Sequence, residues 1–274
     1  MRLRAERERE TMAQTIETTQ NGGASSTVLR AVSVLEALAA APPEGMGVTE
    51  LSKRIGANRS TVYRILGALR PLGYVREGAE PGTVRLGFRI VELGEKVLGQ
   101  LDIRRVAGPH LRELAEITEE TCHLAVLDGV DVVYADKAES EHSIRLFSVP
   151  GKRMPVYSTA MGKALLAAMD AEERKAILDQ VALVPRSPNT ITDRTELERS
   201  LEEIAGRGYS MDLGENEQGT YCVGAAILDR DDRPVAALSA SGPESRMQDD
   251  QMARKGKAVK KMAELIGREL GREA

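Results

Sequence analysis

"GANRSTVYRIL" (Gly56–Leu66) carries an aliphatic stripe on one face of a predicted helix and an unusual set of polar side chains on the other. Val62, Ile65 and Leu66 recur at helical spacing, which predicts a buried face. Gly56 can take the left-handed conformation that ends a preceding helix, so a short turn precedes this one. The polar face holds two arginines, two hydroxyls and a tyrosine, and it lacks the acidic residues that usually pair with basic ones on a solvated helix.

A second helix and a two-stranded ribbon flank this stretch. "VTELSKRIG" predicts a helix before the turn, with Thr49 as its N-cap. The helix of the opening stretch must stop before Pro71, and "AEPGTVRLG" then predicts a hairpin tip and a strand with Val84 and Leu86 on one face. Two helices joined by a short turn and followed by such a ribbon form a winged helix-turn-helix.

The polar face of the second of these helices suits double-stranded DNA, because this helix lies in the major groove in such motifs. Arginine donates to guanine or phosphate, asparagine pairs with adenine, and hydroxyls suit phosphate. Val48–Arg76 holds six basic side chains and one acidic side chain, whereas the whole chain has a net charge of −4. A helix pair used for protein contact is the alternative. The predicted DNA-binding residues are Asn58, Arg59, Ser60, Thr61, Tyr63 and Arg64, with Arg76 and Arg85 flanking the wing.

The 274-residue chain divides into four predicted parts. Residues 1–27 end in the polar, Gly-rich "TTQNGGASS" and are expected to be a disordered arm. Residues 28–88 form the winged helix-turn-helix, 89–106 a linker helix, and 107–274 a second domain. The linker is expected to break near Gly99–Asp102, and a further break is expected at Gly108-Pro109. Its apolar positions suit packing against a second copy of the chain, or equally against the second domain.

The second domain is predicted to be an antiparallel-sheet α+β domain. "TCHLAVLD" and "DVVYADK" predict a hairpin, and "SIRLFSV", "TYCVGAAILD" and "RPVAALSASG" predict further strands. Helices are expected at 160–169, in "TELERSLEEIAGRGY" and at about 249–270. Strands joined by hairpins, with helices at the sides, are typical of this class.

Several function classes find no support in the sequence. The apolar runs are much shorter than the roughly 20 residues of a membrane span, and the charged N-terminus is not typical of a signal peptide. Cys122 and Cys222 have no metal or redox spacing, which fits a reducing cytoplasm. The nucleophile, phosphate-loop and zinc motifs GxSxG, GxxxxGK[ST] and HExxH are missing from the sequence. We therefore predict a cytoplasmic protein that is not an enzyme, with no catalytic residue, metal, cofactor or membrane partner.

Polar groups of the second domain can converge on a compact anion. Asp212 and Cys222 lie in or near strands, and Ser239 and Ser241 share one face of a strand. The free backbone N–H groups near Ala160 and Met161 would present the positive end of a helix dipole to a carboxylate. The alternative is that these side chains are ordinary structural groups of the sheet.

From about Val28 to the C-terminus the chain resembles IclR-type bacterial transcriptional regulators. The resemblance lies in "TELSKRIGANRSTVYRILGALRPLGYV", "SVPGKRMPVYSTAMGKALLA", "GYSMDLGENEQGTYCVGAAILD" and "PVAALSASGP". The spacing of Gly208, Asp212, Glu215 and Cys222 matches the family signature. The resemblance implies an N-terminal winged helix-turn-helix, a linker helix and a C-terminal effector domain similar to GAF and profilin-like folds.

The resemblance also implies a function. Such proteins bind operator DNA as homodimers or homotetramers and respond to small organic acids, and we expect a repressor. A thiol-dependent enzyme and a ligand-independent architectural DNA-binding protein are the alternatives. The implied effector pocket comprises the backbone of Ala160 and Met161, the side chains of Asp212, Cys222, Ser239 and Ser241, and the apolar walls Leu146 and Met154.

Overall fold

The computed structural model describes residues 26–99, 102–140, 142 and 148–271. The chain divides into two compact units, residues 1–97 and 98–274. Most of the predicted N-terminal arm, Leu146 and five of the seven residues of the predicted strand "SIRLFSV" lie outside the described residues.

The first unit is a helical bundle with a small antiparallel sheet, as predicted. The helix-turn-helix comprises α2 and α3, and β2 and β3 form the wing, with β3 central in the sheet order β1-β3-β2. The elements are α1 (Ser26–Ala39), β1 (Met46–Gly47), α2 (Val48–Arg54), α3 (Arg59–Leu69), β2 (Val75–Glu77), β3 (Thr83–Leu86) and α4 (Arg89–Gly99), of which α4 extends past the end of the unit.

One aliphatic cluster holds these elements together. It unites Val34 and Leu38 of α1 with Leu51 of α2 and Val62 and Leu66 of α3. All five side chains are buried, so the aliphatic stripe of α3 faces this core and its polar face is turned away from it.

One local prediction in this unit is wrong. Helix α2 starts at Val48 with Gly47 as its N-cap, so Thr49 lies inside the first turn and caps nothing. In α1, Val28 and Val32 are 61% and 50% exposed, because the buried face is set by Val34 and Leu38. The apolar stripe of α1 therefore has a part that this chain does not cover.

The second unit contains a sheet in which the described strands pair antiparallel in the order β6-β5-β4-β9-β8-β7. A 3-10 turn at Glu244–Arg246 precedes the last helix. The elements are α5 (Asp102–Thr118), β4 (Thr121–Asp128), β5 (Asp131–Ala138), β6 (Arg153–Pro155), α6 (Ala160–Ala168), α7 (Ala171–Leu178), α8 (Arg194–Arg207), β7 (Ser210–Leu213), β8 (Thr220–Leu228), β9 (Pro234–Pro243) and α9 (Asp249–Glu269).

Helices cover both faces of this sheet. Leu111 of α5 and Val259 of α9 pack with Leu238 on one face. Leu165 of α6 and Leu201 of α8 pack on the other face, which Ala237 shares. Because side chains alternate along a strand, odd and even residues of β9 serve different faces. The mixed α+β architecture agrees with the prediction.

The expected break at Gly108-Pro109 is wrong, because α5 runs without interruption from Asp102 to Thr118. Ala107, Leu111 and Leu114 are buried on both sides of the proline, and their packing offsets the hydrogen bond that the proline lacks. Three helices or strands of the second unit were not predicted, β6, α7 and β7, and each is eight residues long or shorter. In the part of the chain that the structure describes, no helix has the length and apolar character to span a membrane.

Candidate functional site

The start of α3 is shaped by Asn58. Its Oδ1 accepts hydrogen bonds from the Thr61 backbone N–H and the Ser60 hydroxyl, both at 2.8 Å, which makes it the N-cap of the helix. A paired contact with adenine needs the same oxygen. The structure thus gives Asn58 the role of a cap, and Ser60 shares in it.

The polar face of α3 is open. Arg59, Ser60, Tyr63 and Arg64 are exposed, Tyr63 by 63%, and Thr61 is half-buried. Neither Arg59 nor Arg64 makes a hydrogen bond or ion pair within the described residues. Two arginine side chains without a counter-charge on one helix face form a surface that attracts a polyanion.

The two predicted wing arginines are tethered to the ribbon. Arg76 donates from Nε to the Leu86 carbonyl at 3.3 Å, and its guanidinium lies 4.1 Å above the Phe88 ring. Arg85 donates from Nε to the Glu77 carbonyl at 3.1 Å. Because both bonds use Nε, the terminal Nη groups remain suited to another acceptor.

In the second unit, strand register brings the predicted ligand groups together. Ser241 of β9 pairs with Cys222 of β8, which in turn pairs with Asp212 of β7. One step along β9, Ser239 pairs with Gly224. Ser239 and Ser241 point to the same face, with their hydroxyl oxygens 3.5 Å apart. The polar side chains form one continuous patch, although they are far apart in sequence.

The N-terminus of α6 lies directly over this patch. The hydroxyl of Thr159 accepts from the Gly162 N–H at 3.2 Å and caps the helix. Ser210 donates to the Ala160 carbonyl at 2.5 Å and fixes the helix start to β7. The backbone N–H groups of Ala160 and Met161 have no acceptor among the described residues. They are free donors at the positive end of the helix dipole.

His123 of β4 belongs to the same patch, although the sequence analysis did not select it. It pairs with Ser239 across the sheet, and its Nδ1 lies 3.4 Å from the Ser239 hydroxyl. Its Nε2 lies 2.8 Å from the Ser148 hydroxyl, and its ring stacks on Tyr134 with 4.7 Å between centroids. Burial, reinforced by two nearby lysines, lowers the pKa of His123 to about 3, so the ring is neutral.

Two buried carboxyl groups border the patch. Asp212 is 2% exposed and accepts a 2.6 Å hydrogen bond from the Glu215 N–H. The Glu215 carboxylate forms an ion pair with Lys163, which is 1% exposed. Burial and the charge of Glu215 raise the pKa of Asp212 to about 7. Burial, which the Lys163 charge only partly offsets, also raises the pKa of Glu215.

Cys222 is not set up as a nucleophile. Burial and the charge of Asp212 raise the pKa of its thiol far above the usual value, whereas a reactive cysteine needs its thiolate form. In the described part of the chain, no group of three or more His, Cys, Asp or Glu side chains could hold a metal ion. The patch offers hydrogen-bond donors and neutral polar groups, which is the chemistry of binding a small polar molecule.

Met154 and Leu146 were the predicted apolar walls. Met154 lies on β6, pairs with Val132, and joins a buried cluster with Met161 of α6. This cluster adjoins the start of α6, so Met154 lies where an apolar wall is expected. Leu146 is outside the described residues.

A winged helix-turn-helix with an open basic helix, joined to an α+β unit with a buried polar patch, defines a two-domain DNA-binding regulator. The family description "IclR helix-turn-helix domain" matches residues 27–78, and "Bacterial transcriptional regulator IclR C-terminal" matches residues 95–268. The chain belongs to the IclR family of bacterial transcriptional regulators, as its sequence motifs indicated.

Two curated relatives are also transcriptional regulators. The HTH-type transcriptional regulator KdgR of Dickeya chrysanthemi is 39% identical over 225 residues, which cover 82% of this chain and 73% of that protein. The HTH-type transcriptional repressor AllR of Escherichia coli (strain K12) is 31% identical over 227 residues, covering 83% and 84%.

Two solved structures share most of the chain's fold. The Thermotoga maritima IclR structure matches with a TM-score of 0.77 and 36% identity, covering 89% of this chain and 98% of that one. An IclR homolog complexed with 4-hydroxybenzoate, from Microbacterium hydrocarbonoxydans, matches with a TM-score of 0.76 and 26% identity, covering 89% and 99%. The predicted fold class and the predicted function of DNA-binding transcriptional regulation are confirmed.

Proposed function

We propose that the protein is a repressor that binds operator DNA through α3 and the wing and responds to a small organic acid held under the start of α6. The observation that supports ligand binding is the pair of N–H groups at Ala160 and Met161. They have no acceptor among the described residues, and they lie against Gly224, the strand partner of Ser239. A repressor of this kind acts in the cytoplasm, where bacterial DNA lies.

In this proposal α3 reads the major groove. Arg59 and Arg64 supply free guanidinium groups to base edges or phosphates, and Tyr63 adds an exposed hydroxyl. Thr61 lies half-buried beside them and suits a phosphate contact. Arg76 and Arg85 stabilise the wing through their Nε hydrogen bonds, and their terminal Nη groups contact the DNA phosphate backbone. Asn58 contributes by fixing the first turn of the helix.

The organic acid is held by its carboxylate. One oxygen accepts from the free N–H groups of α6, and the other accepts from the serine hydroxyls of β9. Asp212 and Cys222 line the β7–β8 side, and Met154 forms an apolar wall. The bound 4-hydroxybenzoate of the Microbacterium homolog supports a carboxylate as the ligand class.

A second copy of the chain covers the exposed apolar side chains of the first unit. None of the residues of α4 is buried, and two of its apolar side chains, Val91 and Val97, are 59% and 61% exposed. Val28 and Val32 of α1 are exposed as well. An apolar surface of this kind marks an association site. A homodimer places two α3 helices on two half-sites of an operator, and a homotetramer pairs two such dimers.

Regulation requires the acid to bind one arrangement of the oligomer more tightly than another. The segment Gly94–Pro109 is the element that we expect to differ between the two arrangements, since it joins the DNA-reading unit to the ligand-binding unit.

Fluorescence anisotropy with labelled DNA from upstream of the protein's own gene tests this function. The measurement is made at two salt concentrations, with and without pyruvate, 2-oxoglutarate, benzoate and 4-hydroxybenzoate. We expect sequence-selective binding that one of these acids changes. The double variant Ser239→Ala with Ser241→Ala should keep DNA binding and lose the response, whereas Ser245→Ala, at an exposed serine of the same unit, should keep both. An unchanged response in the double variant would contradict the assigned site.

A further inference from the structure

The carboxyl groups beside the ligand site outnumber their cation. Lys163 bonds to Oε1 of Glu215, while Oε2 of Glu215 is buried and has no hydrogen-bond partner among the described residues. Asp212 is buried as well, and its carboxyl group accepts hydrogen bonds only from the backbone N–H groups of Glu215 and Asn216. With both carboxyl groups ionised, this buried cluster would hold an uncompensated negative charge, which is costly away from water.

Among the residues that the structure describes, the elements packed around Asp212 do not supply the missing positive charge. On β8, Cys222 is neutral, and on β5, Tyr134 is neutral because burial raises its pKa above the usual value. Glu217, before β8, and Glu196, on α8, add negative charge near the cluster. Lys137 and Lys152 act on His123 instead. Lys163 is thus the cation that acts on Asp212.

The cheapest way to remove the extra charge is a proton on one carboxyl group, and Asp212 is the one without an ammonium partner. A ligand carboxylate under the start of α6 would lie close to Asp212, since Asp212, Cys222 and Ser241 are direct neighbours across the sheet. A third negative charge at this place raises the affinity of Asp212 for its proton further.

We propose that Glu215, held ionised by its ion pair with Lys163, acts as a positioning residue that keeps Asp212 neutral and proton-donating, so that the organic acid binds together with one proton. This inference rests on the effector site proposed above. A neutral carboxyl group can donate its O–H to an oxygen of the ligand, whereas an ionised one would repel it. The site thereby selects ligands that present an acceptor to β7, and it binds them more tightly as the pH falls.

Isothermal titration calorimetry of the full chain with the four acids named above tests the inference. Their carboxyl groups all stay ionised from about pH 6 upward, so for pyruvate, 2-oxoglutarate and benzoate the protein is the source of any pH dependence. The phenol of 4-hydroxybenzoate begins to ionise near about pH 9, so that acid is compared only up to about pH 8. Affinity should be nearly constant below about pH 7 and fall about tenfold per unit above it, about 100-fold in all between pH 6 and pH 9. In two buffers of different ionisation enthalpy at about pH 8, binding should take up close to one proton.

Three variants locate the proton. Asp212→Asn keeps a donor, so it should bind the acid with little pH dependence and take up no proton. Glu215→Gln removes the charge beside Asp212 but keeps an acceptor for Lys163. The affinity of this variant for the acid should begin to fall at a lower pH than that of the wild-type protein. Glu202→Gln changes an exposed carboxyl group on α8 and should behave as wild type.

The outcomes separate this inference from the function on which it rests. Binding by the wild-type protein that is independent of pH, or a pH dependence that Asp212→Asn leaves unchanged, overturns the proton-linked site and leaves the effector site standing. If none of the four acids binds at about pH 6, the effector site itself is overturned, and this inference with it. The buffer comparison needs the wild-type protein alone, so it remains decisive if a variant fails to fold.

Discussion

Gly224 lies so close to Ala160 that a Cβ built on it would come within 2.8 Å of the Ala160 carbonyl carbon and 3.0 Å of the Met161 nitrogen. The helix start that offers the free N–H groups thus rests on the bare backbone of β8. Only glycine permits this approach, and the proposed ligand site depends on it.

Replacing Gly224 by alanine should therefore lift the start of α6 from the sheet. We expect a loss of about 1–3 kcal/mol in the free energy of unfolding, typical of an overpacked core, together with loss of the response to the organic acid. Urea denaturation and the anisotropy assay measure the two effects. Gly206→Ala in α8 is the matched control, because its Cβ meets no atom within 4 Å. Equal stability of the two variants would contradict the close approach.

Removing the N-cap of α3 should lower both the stability of the first unit and its affinity for DNA. Asn58→Ala loses the acceptor for the Thr61 N–H, which costs about 0.5–2 kcal/mol of stability. Asn58→Ser restores a capping oxygen and should recover most of the loss. Thermal unfolding followed by circular dichroism gives the comparison, and equal melting temperatures for the alanine and serine variants would rule out the capping role.

Arg64 and Arg70 should differ as DNA contacts, although both are exposed arginines at or beside α3. Arg64→Ala should weaken operator binding by about 1–3 kcal/mol and reduce the preference over unrelated DNA, as expected for a base contact. Arg70 lies 3.0 Å from Glu77, which already balances its charge, so Arg70→Ala should have a smaller effect. A uniform loss of affinity for all DNA in Arg64→Ala would indicate a phosphate contact instead.

Glu120 should make the second unit sensitive to acid. Its side chain is buried and bound by Arg246 at 2.7 Å and Lys255 at 2.8 Å. Burial raises the pKa of Glu120, but the bonds to Arg246 and Lys255 outweigh burial and hold the pKa below its ordinary value. On acidification, Glu120 is therefore protonated in the unfolded chain before it is protonated in the folded protein. The stabilisation by the Glu120 ion pairs, which is present at neutral pH, is lost as the pH falls through the folded-state pKa.

Glu120→Gln should cost about 3–5 kcal/mol near pH 7, because it takes the carboxylate away from the buried Lys255 ammonium. The cost should shrink on acidification as Glu120 itself becomes protonated. Urea denaturation at about pH 7 and about pH 4 measures both values. Glu116→Gln, at an exposed position of α5, should change stability little at either pH. If the loss of stability in Glu120→Gln does not change with pH, Glu120 stabilises the unit by packing rather than by its charge.

The exposed apolar side chains of α4 should control assembly. Val91→Glu introduces a charge into the surface that a second copy is proposed to cover, and it should shift the protein toward monomer. Lys96→Glu alters the charge of the same helix at an exposed polar position and should leave assembly intact. Sedimentation velocity separates the species, and an unchanged distribution for Val91→Glu would place the interface elsewhere.

The sequence is a good guide where the signal is local. The spacing of Val62, Ile65 and Leu66 predicts α3 and its buried face, and the i, i+2 spacing of Ser239 and Ser241 predicts their shared face. Motifs that are specific to the family add the ligand groups, including Asp212 and Cys222. These features follow from periodicity or from residue type, and both can be seen along the chain.

The remaining features depend on contacts between distant segments. The sequence around His123 does not indicate that it belongs to the polar patch, because the strand register that pairs it with Ser239 places it there. The only local signal was its alternation with Thr121 and Ala125 along β4, which puts these three side chains on one face. Val28 has the period of a core residue but is exposed, and Pro109 has the chemistry of a helix breaker but lies inside α5. In each case packing against other elements overrides the local preference.

The alignment of Thr121, Ser241, Cys222 and Asp212 across four strands has a consequence for synthesis. These residues span 120 positions of the chain, so the ligand site is complete only after β9 has left the ribosome, and such long-range pairings form slowly. The DNA-reading elements, by contrast, end with β3 at Leu86. Each newly made molecule thus has its DNA-binding segment before the proposed ligand site can form, and a ligand bound there would stabilise the late-forming unit as a whole.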